Sequence, residues 1–562
     1  MKNRIVFLRT ILMVWSLALY GQAVYYVSPS GDDAQAGDSL HPWHSIQTGL
    51  NRLEQGDVLV LLGGTYREKI SIPQDSVSLR AATGAHVVLD ASGLIQTEPV
   101  IEITGKSHIR ISGLEIANNI MNDAVGIRVS GSGEAITIEN CIIHDIHFSA
   151  DPDAQVTEQT NAQGIVVYGT ESQAYENIVI RNCELYHCRL GYSEGIAING
   201  NVDGFEISGN RVHDLTNIGI DVIGYEGTCP DVQSDYARNG RIVDNEVINC
   251  RASYDTSAGI YVDGGANVLI MRNLCKGNGW GIEVGCENPG HESTQIEVRD
   301  NMIIENSETG VALGGYDYPS GSGKVTQTRI VNNTFLNNDT QNTGTGSLFL
   351  TYSEDCIIEN NIFYTQNDDL LYAEGTAVNL ILDYNLYYDA DGDDTDNGID
   401  FFGTSYDGFS DFQSRTSYEI HGLYASPLWQ INVEGIPHLT AQSPAVDTGS
   451  DSVGILTGET DFFGNERFFN NHIDRGAEEY GAPDGIKKSY LSLPVYPVPA
   501  GNELHIESME TGFYLIFSSD GQLLRSGMIK SGRVDTGRLS KGVYFLVAKS
   551  GERIFRAKFI KK

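Results

Sequence analysis

A short phrase of alternating apolar and variable residues recurs along the middle of the chain. It begins with glycine, usually continues as Ile-x-Val-x, and starts at Gly126, Gly164, Gly195, Gly219, Gly259, Gly281 and Gly310. Apolar residues at every second position are typical of a β-strand with one buried face. The intervals between these glycines are 38, 31, 24, 40, 22 and 29 residues, and the shortest leave no room for an ordinary helix between strands. The pattern therefore predicts a β-solenoid, in which each coil needs its neighbours to cover its core.

A second phrase alternates with the first and ends in a small residue, usually asparagine. Its last residues are Cys141, Cys183, Asn210, Asn245, Asn273, Asn301, Asn333 and Asn361. Together the phrases resemble the right-handed parallel β-helix of pectate-lyase-like proteins, with their internal asparagine ladder. The resemblance covers residues from about 25 to 388 and implies an all-β solenoid. It does not imply one activity, because such scaffolds carry lyases, hydrolases, epimerases and non-enzymatic adhesins.

The order of segments predicts five regions. Residues 1–23 have the charged, apolar and small-residue order of a secretory signal peptide, and their apolar run is shorter than a bilayer requires. Residues 24–95 are expected to form an N-terminal cap and the first coils, with a short helix over residues 45–53 covering the end of the core. Residues 96–390 form the predicted parallel β-helix, residues 391–485 its closing tail, and residues 486–562 a separate C-terminal domain.

The C-terminal region differs in composition from the rest of the chain. Its marks include Pro497, Pro499 and Asn502, and its last 40 residues, 523–562, contain Lys530, Lys541, Lys549, Lys558, Lys561 and Lys562. It resembles the C-terminal sorting domain of type IX secretion cargo. This resemblance implies a small β-sandwich, the type IX secretion machinery as a partner, and a mature protein that lacks both the signal and this domain. An adhesive or carbohydrate-binding module is the alternative interpretation.

The formal net charge of −37 limits the kinds of partner. Nucleic acids and anionic membrane surfaces are polyanions, so we expect neither to bind. We expect a secreted or cell-surface monomer with no transmembrane segment after signal removal. The sequence indicates no definite cofactor, and Ca²⁺ is the candidate ion. Alternating carboxylates could hold it at Asp389, Asp391, Asp393 and Asp396. That loop lacks the closing glutamate of a full Ca²⁺ loop, and a solvated loop is the alternative.

Carboxylates and aromatic residues concentrate on three consecutive predicted coils. The variable positions of each glycine phrase should face outward and stack from coil to coil. The first outward column is Arg128, Val166, Ala197, Asp221, Tyr261, Glu283 and Ala312, and the second is Ser130, Tyr168, Asn199, Ile223, Asp263, Gly285 and Gly314. Glu194, Glu226, Trp280 and Glu287 are expected just outside the strands. A merely solvated face would spread its polar residues evenly, so the concentration favours a functional cluster.

Asp221, Asp263 and Glu283 are the candidate catalytic residues. Strand geometry places Asp263 about 8 Å from each of the other two at the backbone. Carboxyl groups about 6.5–9.5 Å apart suit glycoside hydrolysis with inversion. We expect Asp263 to act as the base and Glu283, near the apolar Trp280, as the acid. The candidate substrate-binding residues are Tyr168, Glu194, Asn199, Glu226, Tyr261, Trp280 and Glu287.

Two other functions fit the same face of the predicted solenoid. A Ca²⁺-dependent lyase could use the three acids to hold the cation that neutralises a uronic acid. Lyases that resemble this fold generally use a lysine or arginine as base, and the outward columns offer only Arg128, several coils away. Inserted loops could supply Arg238 or Lys324, or Tyr261 could act as base. A non-catalytic glycan-binding protein would need the aromatic residues but not three clustered acids.

The remaining histidines and cysteines indicate structural roles. His144 and His213 follow the ladder residue at matching places, on a different strand from the acids, and we interpret them as structural. Cys141 and Cys183 share the ladder position on adjacent coils, where either a disulfide or two buried thiols would fit.

Overall fold

The structure is a computed structural model. It describes residues 23–94, 99–366, 369–390, 392–394, 398–456, 459–470, 472–483, 491–492, 495–496, 503–506, 511–518, 523–530, 532–550 and 553–561. All of the predicted signal peptide except Ala23 lies outside the described residues. Among the residues described, no helix is long and apolar enough to cross a membrane.

The chain winds through three long sheets, and each coil contributes strands to all three. Sheet I has 16 strands: Val24–Val27, Val58–Leu61, Ser78–Ala81, Ile109–Ser112, Gly133–Glu139, Tyr175–Arg181, Val202–Ser208, Arg238–Val243, Ala266–Met271, Glu292–Arg299, Lys324–Thr326, Arg329–Val331, Ser353–Glu354, Ile357–Glu359, Ala377–Val378 and Ile381–Asp383. Sheet II has 13: Ile70–Ser71, Pro99–Thr104, Ala124–Gly131, Ala162–Gly169, Arg189–Gly200, Thr216–Ile223, Ala258–Asp263, Trp280–Gly285, Thr309–Leu313, Leu348–Leu350, Asp369–Ala373, Gly398–Phe401 and Thr404–Tyr406. Sheet III has 13: Gly64–Tyr66, Val87–Asp90, Glu115–Ala117, Ile142–His144, Glu184–Tyr186, Arg211–His213, Glu246–Ile248, Leu274–Lys276, Met302–Ile304, Thr334–Leu336, Ile362–Thr365, Leu386–Asp389 and Leu423–Tyr424.

The register of sheet II confirms the predicted stacking of the glycine phrases. Strand Arg189–Gly200 pairs in parallel with Thr216–Ile223, and Ala197 lies opposite Asp221. The isoleucine and valine positions of these phrases are fully buried and belong to one core that runs along the solenoid. Neighbouring strands of the three sheets pair in parallel up to the last two strands of sheet II, which form an antiparallel pair. The predicted parallel β-helix is therefore confirmed.

The glycine that opens each phrase is required by the close approach of neighbouring coils. A Cβ atom on Gly164 would lie 2.6 Å from the carbonyl oxygen of Gly195 and 2.6 Å from a methyl group of Leu185. At Gly195 the same atom would lie 2.5 Å from Leu215 and 2.7 Å from the oxygen of Gly219. Real Cβ atoms do not approach other atoms so closely. The recurring glycine therefore reflects packing inside the coil, and it shifts the alternation of side chains at the start of each phrase.

The recurring asparagines form the predicted ladder inside the solenoid. The oxygen of Asn210 accepts from the backbone nitrogen of Cys183, and from Asn245 on each side-chain oxygen accepts from the amide side chain of the preceding coil, as Asn273 Oδ1 does from Asn245 Nδ2 at 2.9 Å. The row continues through Asn301, Asn333, Asn361 and Asn385. It ends on Glu419, whose Oε1 accepts from Asn385 Nδ2 at 2.7 Å. The ladder thereby pairs buried polar groups with each other.

A second asparagine ladder, which the sequence analysis missed, runs beside the first. Asn278 Oδ1 accepts from the backbone nitrogen of Cys250 at 2.9 Å, and Asn306 accepts from the backbone nitrogen of Asn278 at 2.9 Å. Asn306 Nδ2 then donates to Asn338 Oδ1 at 2.8 Å. The signal was present in the sequence, since each of these asparagines stands five residues after a member of the first ladder.

A short helix covers the N-terminal end of the core, as predicted, but it is shorter than the predicted 45–53. It spans Ile46–Leu50, and the Ser45 hydroxyl accepts from the backbone nitrogen of Thr48 at its N-terminus. The Glu68 carboxylate accepts from the backbone nitrogens of Ile46 and Gln47, at 2.7 and 3.1 Å. A carboxylate at this end is favourable because the first backbone N–H groups of a helix lack internal partners.

The residues after the last long coils return along the solenoid and are held by polar contacts. They include the helix Phe409–Arg415, the antiparallel pair Gln430–Ile431 and Pro437–His438, and the 3₁₀ helix Asp451–Val453. Arg299, fully buried in a coil, pairs with Glu459 at 2.7 Å, and Arg467 pairs with Asp300 at 3.3 Å. Each of these ion pairs joins the tail to a coil.

The C-terminal residues form a small β domain with its own core. The eight strands described in this domain form one sheet in the order Leu491–Ser492, Arg553–Lys561, Gly542–Ser550, Thr511–Ser518, Leu523–Lys530, Arg533–Asp535, Glu503–Ile506 and Val495–Tyr496. Neighbours are antiparallel except for the first pair. Leu504, Ile516, Val534, Leu546 and Phe559 are buried in its core.

Candidate active site

A cleft of about 820 Å³ lies on the outward face of sheet II. Its lining contains every catalytic and substrate-binding residue predicted from the sequence. The carboxylates that line it are Asp123, Glu194, Asp221, Glu226, Asp255, Asp263, Glu283 and Glu287. Among the lining residues, Arg128 is the one lysine or arginine, and it pairs with Glu102 at 2.9 Å. The cleft is therefore strongly acidic.

The register places the predicted columns side by side, as the sequence indicated. Asp221 lies opposite Tyr261, and Tyr261 lies opposite Glu283 on the next coil. In the second column, Asp263 lies between Ile223 and Gly285. Asp263 is therefore a diagonal neighbour of both Asp221 and Glu283, about 8 Å from each at the backbone by strand geometry.

Asp221 is a buried carboxylate whose oxygens are incompletely paired. Its residue is 4% exposed, and Oδ1 has no hydrogen-bond partner among the described residues. Burial raises the pKa of Asp221 well above its usual value, and the nearby charges of Glu194 and Asp263 raise it further. An acid in this environment favours its protonated form.

Asp263 is equally buried but has one fixed donor. It is 4% exposed, and the backbone nitrogen of Glu287 donates to its Oδ1 at 2.6 Å. Burial and the charge of Glu287 raise the pKa of Asp263 well above its usual value, although this hydrogen bond opposes the shift. The donor fixes one oxygen of the carboxylate.

Glu194 approaches the cleft through an irregularity in its strand. The pairing of Arg189–Gly200 with Thr216–Ile223 shifts register between Arg189 and Glu194. Gln163 Nε2 donates to Glu194 Oε2 at 3.2 Å, and the Tyr168 hydroxyl donates to Gln163 Oε1 at 3.0 Å. Burial raises the pKa of Glu194 to about 7. Glu194 and Trp280 were predicted just outside the strands, whereas both lie within them.

Glu283 and Tyr261 occupy the centre of the cleft. Burial raises the pKa of Glu283, and the charges of Glu287 and Asp263 add to the effect. The Tyr261 hydroxyl donates to Glu287 Oε1 at 3.4 Å and would lie 3.1 Å from a Cβ atom on Gly285. A larger residue at position 285 would therefore crowd the Tyr261 ring. Burial and the surrounding acids also raise the pKa of Tyr261 well above its usual value.

The other predicted binding residues line the walls with defined partners. Trp280 Nε1 donates to Glu308 at 2.9 Å, and Asn288 donates to Glu226 at 2.7 Å. Thr228 donates to Asn199 Oδ1 at 2.6 Å. Tyr168 packs against an apolar cluster of Val125, Val166, Ala197 and Ile223. These contacts fix the walls of the cleft around the acids.

Several cleft residues were missed by sequence reasoning. Gln163 had a signal, because it precedes Gly164 just as Glu194 precedes Gly195. Phe349 also had one, because Leu348-Phe349-Leu350 continues the alternation and Phe349 lies opposite Ala312. Asp123 and Asp255 lie outside the strands, where alternation gives no information.

The basic residues proposed for a lyase lie away from the cleft. Arg238 pairs with Asp203 at 3.1 Å, and Lys324 pairs with Glu354; both belong to strands of sheet I. Neither is among the residues that line the cleft.

The described residues contain no group of three or more His, Cys, Asp or Glu side chains arranged to hold a metal ion. In the acidic loop, Asp391 and Asp396 lie outside the described residues, and Asp389 is buried. Asp393 accepts through its backbone oxygen from the Tyr424 hydroxyl at 3.0 Å. Binding of Ca²⁺ there stays a prediction.

The histidines and cysteines lie apart from the acids. His144 and His213 stack on the two faces of Tyr186 in sheet III, at 4.9 and 5.4 Å between ring centroids. Their Nδ1 atoms lie 2.6 Å from Asp145 and 2.8 Å from Asp214, respectively. The structure contains Cys141 and Cys183 as buried free thiols.

Two family models match the chain. Residues 25–344 match the Pel9A-like, right handed beta helix region, and residues 494–562 match the secretion system C-terminal sorting domain. The sorting domain indicates a protein that is secreted or attached to the cell surface. Its type IX assignment agrees with the sequence analysis.

Similar proteins were found among curated and solved chains. The uncharacterized protein YwoF of Bacillus subtilis (strain 168) is 33% identical over 449 residues, which are 75% of this chain and 91% of that protein. A complex of XylC with xylose has a TM-score of 0.43 at 12% identity, covering 73% of this chain and 88% of that one. Pectate lyase Pel9A has a TM-score of 0.41 at 15% identity, covering 82% and 96%.

Proposed function

The chain belongs to the Pel9A-like right-handed β-helix family, and we propose that it is a carbohydrate-active enzyme that hydrolyses a polysaccharide. Carboxylates of the sheet II cleft act as its acid and base. The observation that carries this proposal is the crowding of Asp221, Asp263, Glu194 and Glu283 around one cleft whose lining offers a single, already paired arginine.

The crowding supplies the two protonation states that glycoside hydrolysis needs. Like charges at close range cannot all ionise near neutral pH, so some of these acids retain a proton while others are ionised. The pKa of Glu194, which burial raises to about 7, supports this, because a proton held near that pH is within the working range of a general acid. No external proton donor is then required at the cleft.

The roles follow from the position of each acid. Asp263 is the base, because the backbone N–H of Glu287 opposes the rise in its pKa, holds one oxygen and leaves the other to activate water. Glu283 is the acid that protonates the leaving oxygen, since burial and the charges of Glu287 and Asp263 favour its protonated form. Their backbone separation of about 8 Å, with freedom for the side chains, suits the carboxyl spacing of inverting enzymes. Asp221 holds a sugar hydroxyl in the floor of the cleft.

Elimination is the rival reaction. Asp221 favours it, because this buried acid has an oxygen without a hydrogen-bond partner among the described residues, and a bound cation could satisfy that oxygen. The proposed bases argue against it. The raised pKa of Tyr261 makes the phenolate scarce near neutral pH. Arg238 and Lys324 pair with acids outside the cleft, and Arg128 pairs with Glu102. Hydrolysis needs none of these groups.

The test is product analysis of the full chain on neutral, amino-sugar and uronic acid polysaccharides, with and without a chelator. We expect new reducing ends, no unsaturated ultraviolet-absorbing ends, and activity that survives chelation. Unsaturated ends that disappear with chelator would instead establish the lyase. Binding to a polysaccharide without any cleavage would establish a non-catalytic glycan-binding protein.

A further inference from the structure

We infer that the cleft accepts a polysaccharide without acidic groups, built of neutral or amino sugars, whose chain extends over the aromatic side chains Trp280, Phe349 and Tyr372. This inference rests on the proposed function and deepens it by naming the substrate class. Neutral and amino sugars have in common that they present hydroxyl or ammonium hydrogen-bond donors and carry no anionic group. Three observations carry it.

The first observation is the charge of the cleft. Its eight lining carboxylates face a single arginine, which is paired with Glu102. A uronic acid chain would bring one more negative charge per sugar into this field, and like charges that meet in a cleft oppose binding. A neutral sugar avoids this repulsion, and an ammonium group converts it into attraction.

The second observation is the unsatisfied acceptor in the floor. Asp221 is 4% exposed, lines the cleft, and has no hydrogen-bond partner for Oδ1 among the described residues. A buried polar atom of this kind needs a donor. A sugar hydroxyl both donates and accepts, so it can pair with this carboxyl whether Asp221 is protonated or ionised, and an ammonium group can donate to it in either state. An ionised sugar carboxylate offers only acceptors and can pair with the protonated form alone, so the floor favours hydroxyl and ammonium groups.

The third observation is an aromatic row that extends the cleft along the solenoid. The first outward column continues from Glu283 through Ala312 to Phe349 and then Tyr372. Trp280 meets Phe349 edge-on at 6.2 Å, and Phe349 lies 5.5 Å from Tyr372. Each of the three rings is half-buried and none carries a formal charge. Such a row offers uncharged aromatic surface to sugar rings on one side of the acids.

The binding test uses the full chain carrying Asp263→Asn, so that bound oligosaccharides are turned over slowly. The probes are hexasaccharides of xylose, glucose, glucosamine and galacturonic acid, measured by calorimetry in chelator and again with CaCl₂. We expect a xylose, glucose or glucosamine probe to bind at least about tenfold more tightly than galacturonate in both buffers. Added salt should weaken glucosamine binding but leave a neutral probe unaffected, which separates the two sources.

Two results would overturn the inference. One is galacturonate binding that equals or exceeds the best uncharged or amino probe in either buffer. The other is failure of all three non-acidic probes to bind. Hydrolysis is scored separately on the unsubstituted protein, so the two proposals fail differently. Neutral probes that bind without cleavage would sink the proposed function alone, and galacturonate that binds and is hydrolysed would sink the substrate class alone.

The aromatic row is tested with Phe349→Ala and Phe349→Leu, which remove the ring and, in the second variant, keep apolar volume. Both should weaken binding of the preferred hexasaccharide by about tenfold, while trisaccharide binding changes less. Phe513→Ala, at an exposed site in the C-terminal domain, is the matched control. Equal losses for both probe lengths, or no loss in either variant, would contradict an extended aromatic subsite.

Discussion

Two rows of buried polar side chains run along the same coils, and they differ in how their hydrogen bonds are satisfied. The asparagine ladder passes inside the solenoid through residues such as Asn273 and Asn301, each fully buried. The acids of the cleft lie on the outside of sheet II, where Asp221 and Asp263 are almost as deeply buried. Both rows remove polar groups from water, so both carry a desolvation cost.

The ladder offsets that cost internally. Asn273 accepts from the backbone nitrogen and the side chain of Asn245, and it donates to the oxygens of Ile242 and Asn301. The cleft acids do not offset it in the same way, since their neighbours are mostly other acids. Buried polar groups that hydrogen-bond to each other indicate a structural role. Buried polar groups that lack such partners and line a cleft indicate a ligand-binding site.

The largest expected effect is on activity when the central acid loses its charge. Asp263→Asn keeps the size of the side chain, and loss of a general base should lower the rate on the order of 10² to 10⁴-fold. Thermal unfolding should change little or shift upward, because a desolvated charge is removed. Rates and unfolding curves of Asp263→Asn are to be compared with those of Glu176→Gln, an exposed acid outside the cleft. Equal activity of the two variants would place the chemistry elsewhere.

The next effect should be on stability when the ladder is broken. Asn273→Ala leaves donors of Asn245 and the carbonyl of Ile242 without partners. Each unsatisfied buried group costs about 1–3 kcal/mol, so the solenoid should unfold at clearly lower denaturant concentration. Activity per folded molecule should stay close to that of the parent. The control is Asn51→Ala at an exposed site; if both variants unfold alike, the ladder is not a main source of stability.

A smaller effect concerns the pH dependence of stability. The folded pKa of Glu194 is raised to about 7 from an ordinary value of 4.5. A raised pKa means that this group stabilises the fold fully below its unfolded pKa, and that this contribution is lost as pH rises through the folded pKa. Glu194→Gln should therefore flatten the fall in melting temperature between about pH 4.5 and 7. Melting temperatures measured across this pH range would show the difference. The control is Glu158→Gln at an exposed site, whose melting temperature should follow the same pH dependence as that of the parent.

The solenoid and its columns were predictable because both depend on strict repetition. Once the Gly-Ile-x-Val-x phrases align, the pairing of Asp221 with Tyr261 and of Tyr261 with Glu283 follows without any loop geometry. The second asparagine ladder was missed because Asn278 and Asn306 stand beside turn residues, where an asparagine has other ordinary uses.

The missed parts of the cleft come from places where repetition fails. The alternation breaks at Gly195, so Glu194 lines the cleft and accepts from Gln163, although Ile196 lies in the core. Asp255 belongs to the 40-residue interval between Gly219 and Gly259, whose path depends on contacts that no period encodes. The raised pKa values of the cleft acids likewise depend on how deeply each side chain is buried, which the sequence pattern does not predict.

The smallest expected effect is that of replacing Lys324, and it distinguishes hydrolysis from elimination. Lys324 contacts Glu354 on sheet I, and exposed or half-exposed ion pairs contribute little to stability, about 0–1 kcal/mol. Lys324→Met should therefore leave unfolding and hydrolysis essentially unchanged, because neither its own position nor its partner reaches the cleft acids. Elimination with a loop-supplied base would give the opposite result, a loss approaching that of Asp263→Asn. The rates of both variants on the same polysaccharide decide between these outcomes, and a large loss in Lys324→Met would show that a paired charge outside the cleft takes part in the chemistry.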